Sequence, residues 1–177
     1  MIRLFVALEL PEGVRSRLAM LQGGVPGARW ASDEQLHLTL RFIGEVDDHV
    51  AHDIDDALAG IRAPAFMLEL AGIGEFGGKN PRSLWAGVRP SEALLHLQRK
   101  VETALQRIGL PAEERKFSAH VTLARLKAPP REKLVQFLTH HALFASGPFD
   151  VEQFVLFSSH LGSGGSVYHA ERTYALG

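Results

Sequence analysis

Residues 36–43 read LHLTLRFI, and residues 119–126 read AHVTLARL. Each is a β-rich run carrying His-x-Thr-Leu, with His37 and Thr39 in the first and His120 and Thr122 in the second. Successive side chains of a strand point to opposite faces, so His37, Thr39 and Arg41 are expected on one side and Leu38, Leu40 and Phe42 on the other. The apolar side explains itself as core. A polar side that carries the same His and Thr twice needs a chemical reason.

The surroundings of the two phrases repeat as well. His37 and His120 are 83 positions apart, and the same shift takes Phe66 to Phe149. Around the first motif the order is a strand (Ile2 to Leu10), a helix opening on Pro11 with Val14, Leu18 and Leu21 on one face, the motif strand, and a helix after Asp47-Asp48 with Val50, Ile54, Leu58 and Ile61 inward. A strand from Phe66 follows. Around the second it is a strand (Leu84 to Val88), a helix after Pro90-Ser91 with Leu94, Leu97, Val101, Leu105 and Ile108 inward, the motif strand and a helix from Arg131. A strand from Phe149 to Ser158 comes next. A glycine loop and a last strand (Val167 to Leu176) close the chain. Elements alternate without the cadence of a parallel βαβ sheet, which predicts an α+β sandwich. We expect residues 1–177 to form a single domain of two pseudo-symmetric lobes, each about half the chain, with the motif strands side by side and their polar faces lining one cleft.

Composition narrows the function. A chain of 177 residues, 46% hydrophobic and 22% charged, fits one globular unit. It has no cysteine, so disulfides, thiol nucleophiles and Cys-based metal sites are excluded. No stretch approaches the roughly 20 apolar residues of a membrane span, and the N-terminus lacks the apolar core of a signal peptide, so a cytoplasmic protein is expected. The net charge of −1 argues against a broad electrostatic nucleic-acid binder. Charge is unevenly spread, however: residues 1–88 carry 8 Lys and Arg against 12 Asp and Glu, and residues 89–177 carry 11 against 8. Arg115, Lys116, Arg125, Lys127, Arg131 and Lys133 make the second motif's surroundings basic.

An imidazole can act as acid or base near neutral pH, and a Thr hydroxyl two residues along can donate to an anionic oxygen. Two such units supply one base, one acid and two donors, the set needed to hydrolyse a phosphodiester without a metal ion. Cyclic phosphodiesters suit it best, because the ring keeps the leaving oxygen close to a fixed position.

The stretches HLTLRFIGE and FSAHVTLAR, the opening RLFVALELPE, Trp30, LWAGV and the ending LFSSHLGSGGSVYHAERTYAL together resemble the 2H phosphoesterases. The likeness is greatest to bacterial and archaeal RNA 2′,3′-cyclic phosphodiesterases, formerly named 2′-5′ RNA ligases. The resemblance implies a bilobal α+β fold with antiparallel-rich sheet, outer helices and a central cleft. It also implies hydrolysis of a terminal 2′,3′-cyclic phosphate to a 2′-phosphate, with no metal or other cofactor. His37 would be the proton donor, His120 the proton acceptor, and Thr39, Thr122 and Arg125 the groups that bind the phosphate. Partners would be RNA ends or small cyclic nucleotides, with no membrane and a monomeric chain. Ala119 departs from the proline that the family usually has before the second His.

Arg125 poses a difficulty, because strict alternation puts it on the face opposite His120. A bend or bulge would be needed to turn it, and Arg41, with the right parity to His37, is the competing anion contact. The 83-residue shift pairs Arg125 with Phe42, so Arg125 has no counterpart in the first half. Phe5 and Tyr168 could stack on a base or simply pack.

Other motifs carry less. Residues 72–77 read GIGEFG, a literal GxGxxG, but Pro81 rather than a helix follows. The pairs His49 with His52 and His140 with His141 have no third ligand beside them, and Ser158-Ser159-His160 has no oriented acid for a triad. Two further readings of the chain are a cyclic phosphodiesterase acting on a small nucleotide such as ADP-ribose 1″,2″-cyclic phosphate, and a non-catalytic module that binds RNA ends. A paired acid and base counts against the second.

Overall fold

Two of the four α-helices start at a capping side chain, and the other two start directly after Pro11 and Pro130. Asp47 accepts the Val50 N–H at 2.9 Å and Ser91 accepts that of Leu94 at 3.1 Å, each satisfying a donor that the first helical turn leaves unpaired. The computed structural model describes residues Met1–Gly177. In chain order it contains β1 (Ile2–Glu9), α1 (Glu12–Leu21), β2 (Ala28–Trp30), a 3₁₀ turn (Asp33–Gln35), β3 (His37–Val46), α2 (Asp48–Ala59) and β4 (Phe66–Phe76). There follow β5 (Ser83–Val88), α3 (Glu92–Arg107), β6 (His120–Leu126), α4 (Arg131–His140), β7 (Ala145–Val151), β8 (Gln153–Gly162) and β9 (Gly165–Ala175).

The nine strands form one antiparallel sheet in the order β7-β4-β5-β6-β3-β1-β8-β9, with β2 paired to the C-terminal end of β6. The two motif strands are therefore the central neighbours, with three strands beyond each of them. One lobe is β7-β4-β5-β6 and the other is β3-β1-β8-β9, so the lobes draw on interleaved segments of the chain rather than on its two halves. Phe66 and Phe149, related by the 83-residue shift, lie on neighbouring strands of the same lobe, where Phe66 pairs with Val151 and Leu68 with Phe149.

The expected single strand from Phe149 to Ser158 is two strands. β7 is an edge strand on β4, whereas β8 lies between β1 and β9 near the opposite edge. Only Glu152 separates them, so the sheet must curl until its two ends meet at this corner. The Glu152 carbonyl accepts the Leu176 N–H at 2.8 Å and the Ala63 carbonyl accepts that of Gly177 at 3.0 Å, which ties the C-terminus into the same corner.

Curling gives the sheet two unlike faces. The convex face buries Leu4, Val6, Leu8, Leu38, Leu40, Leu84, Val121, Leu123 and Leu156 together with Val14 and Leu18 of α1, Ile54 and Leu58 of α2, Leu94, Leu97, Val101 and Leu105 of α3, and Leu134 and Phe137 of α4. Ile61 is buried too, just past the end of α2, whereas Ile108 follows the last residue of α3 and is exposed rather than inward. The concave face carries a small separate cluster of Phe5, Ala7, Val155 and Phe157 with Tyr168 against it. One sheet thus serves two purposes, with the core on one side and a cleft on the other. No helix is long and apolar enough to cross a membrane.

The GIGEFG stretch is strand and turn. Gly74 lies opposite Trp85, whose indole covers it so closely that an added Cβ would stand 2.2 Å from Cζ2. Gly77 has φ +113° and would bring a Cβ to 2.2 Å from the Asn80 carbonyl oxygen. These glycines serve close approach and a turn, not a dinucleotide. Gly74→Ala must displace the Trp85 ring, and we expect it to lower stability by about 1–3 kcal/mol in urea unfolding. An unchanged midpoint would contradict this packing.

Candidate active site

The two motifs meet at one point. Leu38 of β3 pairs with Val121 of β6, and both side chains are fully buried on the helix side. Antiparallel pairing then sets His37 opposite Thr122 and Thr39 opposite His120, all four on the concave face. Each His thus stands beside the other motif's Thr, and the arrangement is close to two-fold symmetric.

Both motif strands then carry a bulge at the same place. In β3, Ala7 pairs with Thr39 but Val6 pairs with Arg41, which leaves Leu40 as the extra residue. In β6, Trp85 pairs with Thr122 but Leu84 pairs with Ala124, which leaves Leu123 as the extra residue. A one-residue bulge resets the alternation of everything after it. Leu40 and Arg41 are both buried on the helix side, as are Leu123 and Ala124. Phe42 and Arg125 return to the cleft face, where Phe42 pairs with Phe5 and Arg125 with Ser83.

This overturns the parity expected for both arginines. Arg41 is turned away from His37 and is buried beneath the sheet. Its Nε donates to Glu102 of α3 at 2.6 Å, Nη1 donates to the Phe42 carbonyl at 2.6 Å, and Nη2 donates to the Pro111 carbonyl. Burial alone would raise the Glu102 carboxyl, but hydrogen bonds from Arg41, the Glu113 N–H and Gln106 hold it below its ordinary range. Arg41 is thereby a structural ion-pair partner and not an anion contact. Arg125 is exposed on the same face as His120 and Thr122.

The two histidines have different environments. His37 is enclosed by aromatic rings: Phe5 stacks on it at 5.0 Å between centroids, Phe157 lies at 5.8 Å, and Tyr168 meets it edge-on at 5.2 Å. Its Nδ1 is buried without a hydrogen-bond partner, which leaves Nε2 as the nitrogen available to the cleft. Burial pushes the His37 imidazole down to about 4, so the free protein holds it neutral at pH 7. His120 is more open. Its Nδ1 lies 2.7 Å from the Ser118 carbonyl and must donate to it, which fixes the proton on Nδ1 and presents Nε2 to the cleft. Phe76 packs edge-on against it at 5.0 Å.

Phe5 is 1% exposed, so it is a wall under His37 and offers no face to a base. Phe76 and Phe157 carry no local sequence signal, because cross-strand pairing alone brings them to the histidines. No group of three or more His, Cys, Asp or Glu side chains is placed to hold a metal ion. His49 and His52 instead lie 3.8 Å and 3.5 Å from Asp53 and Asp56, one helical turn along α2. Ser158 donates to Glu171 at 2.5 Å and lies 3.1 Å from His160 Nε2, but it is fully buried on the helix side of the sheet and reaches no cleft.

The model of the 2′-5′ RNA ligase superfamily matches residues 10–162, which include both motifs and the strands that carry them. The chain belongs to this superfamily. Its similarity to individual members extends over nearly the whole chain. It is 38% identical over 157 residues to the RNA 2′,3′-cyclic phosphodiesterase of Aeropyrum pernix, covering 87% of this chain and 89% of that one. It is 32% identical to the protein of the same name from Thermotoga maritima, covering 94% and 91%. Among solved structures, Escherichia coli LigT complexed with 3′-AMP superposes with a TM-score of 0.80 at 27% identity, covering 99% of this chain and 98% of LigT. TT0787 of Thermus thermophilus superposes with a TM-score of 0.83 at 28% identity, covering 98% of this chain and 97% of that one.

The buried His37 makes stability depend on pH in a definite direction. Its folded value is depressed below the ordinary 6.5, so the unfolded chain binds the extra proton between pH 6.5 and 4 while the folded protein does not. Stability should therefore fall as pH drops from 6.5 to 4, by up to about 3 kcal/mol from this group. Urea unfolding at pH 7 and pH 4.5 should show His37→Gln to be less acid-sensitive than the parent protein; equal sensitivity would contradict the burial argument.

Proposed function

We propose that the protein hydrolyses the terminal 2′,3′-cyclic phosphate of RNA to a 2′-phosphate, with proton transfers carried by its two motif histidines and no metal ion. The observation that carries the reading is the convergence of His37, Thr39, His120 and Thr122 on one face about the Leu38–Val121 pair. The names of the relatives supply the substrate class.

The chemistry follows from the arrangement. The Thr39 and Thr122 hydroxyls and the Arg125 guanidinium hold the non-bridging oxygens of the cyclic phosphate, and the guanidinium offsets charge that grows as phosphorus becomes five-coordinate. His120, with its proton fixed on Nδ1, takes a proton from water on Nε2 as the water oxygen bonds to phosphorus. The bond from phosphorus to O3′ breaks, and His37 gives its Nε2 proton to the departing oxygen. The product carries the phosphate on O2′ and a free 3′-hydroxyl. Geometry alone does not order donor and acceptor; that assignment follows the family. With a 5′-hydroxyl attacking phosphorus in place of water and O3′ leaving as before, the same site would join RNA ends through a 2′-5′ linkage.

A donor depressed to about 4 is scarcely charged in the empty site at neutral pH. A phosphate anion beside it favours the imidazolium, so substrate binding supplies the charge that burial withholds. The aromatic enclosure then makes His37 a strong acid towards a poor leaving group. Water exclusion by Phe5, Phe157 and Tyr168 strengthens both effects.

The test is incubation of the purified protein with excess EDTA and a nucleoside 2′,3′-cyclic phosphate, with the product identified. We expect the 2′-phosphate, a loss of about 10²–10⁴-fold on His37→Ala or His120→Ala, and a bell-shaped kcat/KM profile whose acid limb lies near the depressed His37 value. Formation of the 3′-phosphate, a requirement for added metal, or full turnover by both variants would overturn the proposal.

A further inference from the structure

β2 contributes only three residues to the sheet, yet it places a second arginine in the cleft. Arg29 pairs with Arg125 across the β2–β6 ladder, while Ser83 flanks Arg125 from β5. Residues directly opposed in an antiparallel pair point to the same face, so Arg29 shares the face of Arg125, Thr122 and His120. Like charges so placed repel, and no carboxylate relieves them. Arg15, Arg41, Arg89 and Arg172 each pair with an acid, whereas Arg29 and Arg125 make no ion pair or side-chain hydrogen bond. Both are exposed.

The head of Arg29 is also fitted to its surroundings. It lies against the turn between β8 and β9, where a Cβ on Gly165 would come within 2.6 Å of its Nη2. That turn is held in place by Gln35, whose Nε2 donates to the Ser166 carbonyl at 2.9 Å. Tyr168, two residues beyond Ser166 on β9, meets His37 edge-on. The guanidinium therefore stands at the mouth of the cleft, between the β8–β9 turn and Arg125, and its neighbours leave it the space that a side chain at position 165 would fill.

We propose that Arg29, set beside Arg125, forms an anion subsite for the phosphodiester on the 5′ side of the terminal nucleotide, so that the protein prefers a cyclic phosphate at the end of an RNA chain to a free cyclic mononucleotide. This rests on the cyclic phosphodiesterase reading and adds a determinant of substrate length. A mononucleotide bears only the reacting phosphate and has nothing for Arg29 to hold. A dinucleotide bears one further phosphate, and a guanidinium satisfies it by charge-assisted hydrogen bonds. The repulsion between the two arginines is then relieved by the ligand.

The experiment compares kcat/KM for a dinucleotide ending in a 2′,3′-cyclic phosphate with that for the matching nucleoside 2′,3′-cyclic phosphate. In Arg29→Gln the dinucleotide-to-mononucleotide ratio should fall about tenfold, the loss expected for one hydrogen-bonded charge. The slope of log kcat/KM against log salt for the dinucleotide should flatten by about 0.7, the value for one phosphate contact on a single strand. Arg29→Lys should retain part of the ratio, and Arg107→Gln, which removes an exposed charge at the end of α3, should leave it unchanged. A ratio unaltered in Arg29→Gln, or lowered equally in Arg107→Gln, would overturn the inference while leaving the activity standing. A parent protein that turns over neither substrate would remove the activity and the subsite together.

Discussion

Everything in the cleft depends on a single contact between strands, the pairing of Leu38 with Val121. These two side chains are wholly buried, and their burial joins the two lobes through one continuous core. Since side chains alternate, sealing Leu38 and Val121 beneath the sheet compels His37, Thr39, His120 and Thr122 to stand above it. A slip of one residue in either strand would bury a His and expose a Leu, a change that the core opposes strongly. The placement of these four side chains is therefore held by hydrophobic burial and needs no bonds among them.

The paired bulges at Leu40 and Leu123 are the second constraint. Each lets two successive residues enter the helix side, and each returns the third to the cleft. In the first lobe this buries Arg41 on Glu102 and presents Phe42; in the second it buries Ala124 and presents Arg125. One backbone device, used twice, makes one end of the cleft aromatic and the other cationic. Such a cleft has an apolar side around His37 and a cationic side near His120.

The sequence made the motifs, the α+β class, the helix caps and most strands legible, because these follow from local alternation and spacing. The repeat of 83 residues also pointed to Phe42 and Arg125 as equivalent positions, which the bulges make true in space. What it could not convey was non-local. No local signal marks Leu40 or Leu123 as a bulge, so strict alternation gave the wrong face for Arg41 and Arg125. The division of residues 149–158 into two strands depends on which neighbours they find at opposite edges of the sheet. The aromatic enclosure of His37 comes from β1, β8 and β9, and Arg29 gains its meaning only from its register with Arg125.

The central claim is that two separated motifs constitute one acid–base unit. Groups that act as a unit lose their effect together, so their removal is far from additive. A double-mutant cycle on kcat/KM for a 2′,3′-cyclic phosphate, with His37→Ala, His120→Ala and the pair, tests this directly. The account predicts that the double variant is about as slow as the slower single variant. Losses that multiply, as for two independent sites, would contradict it.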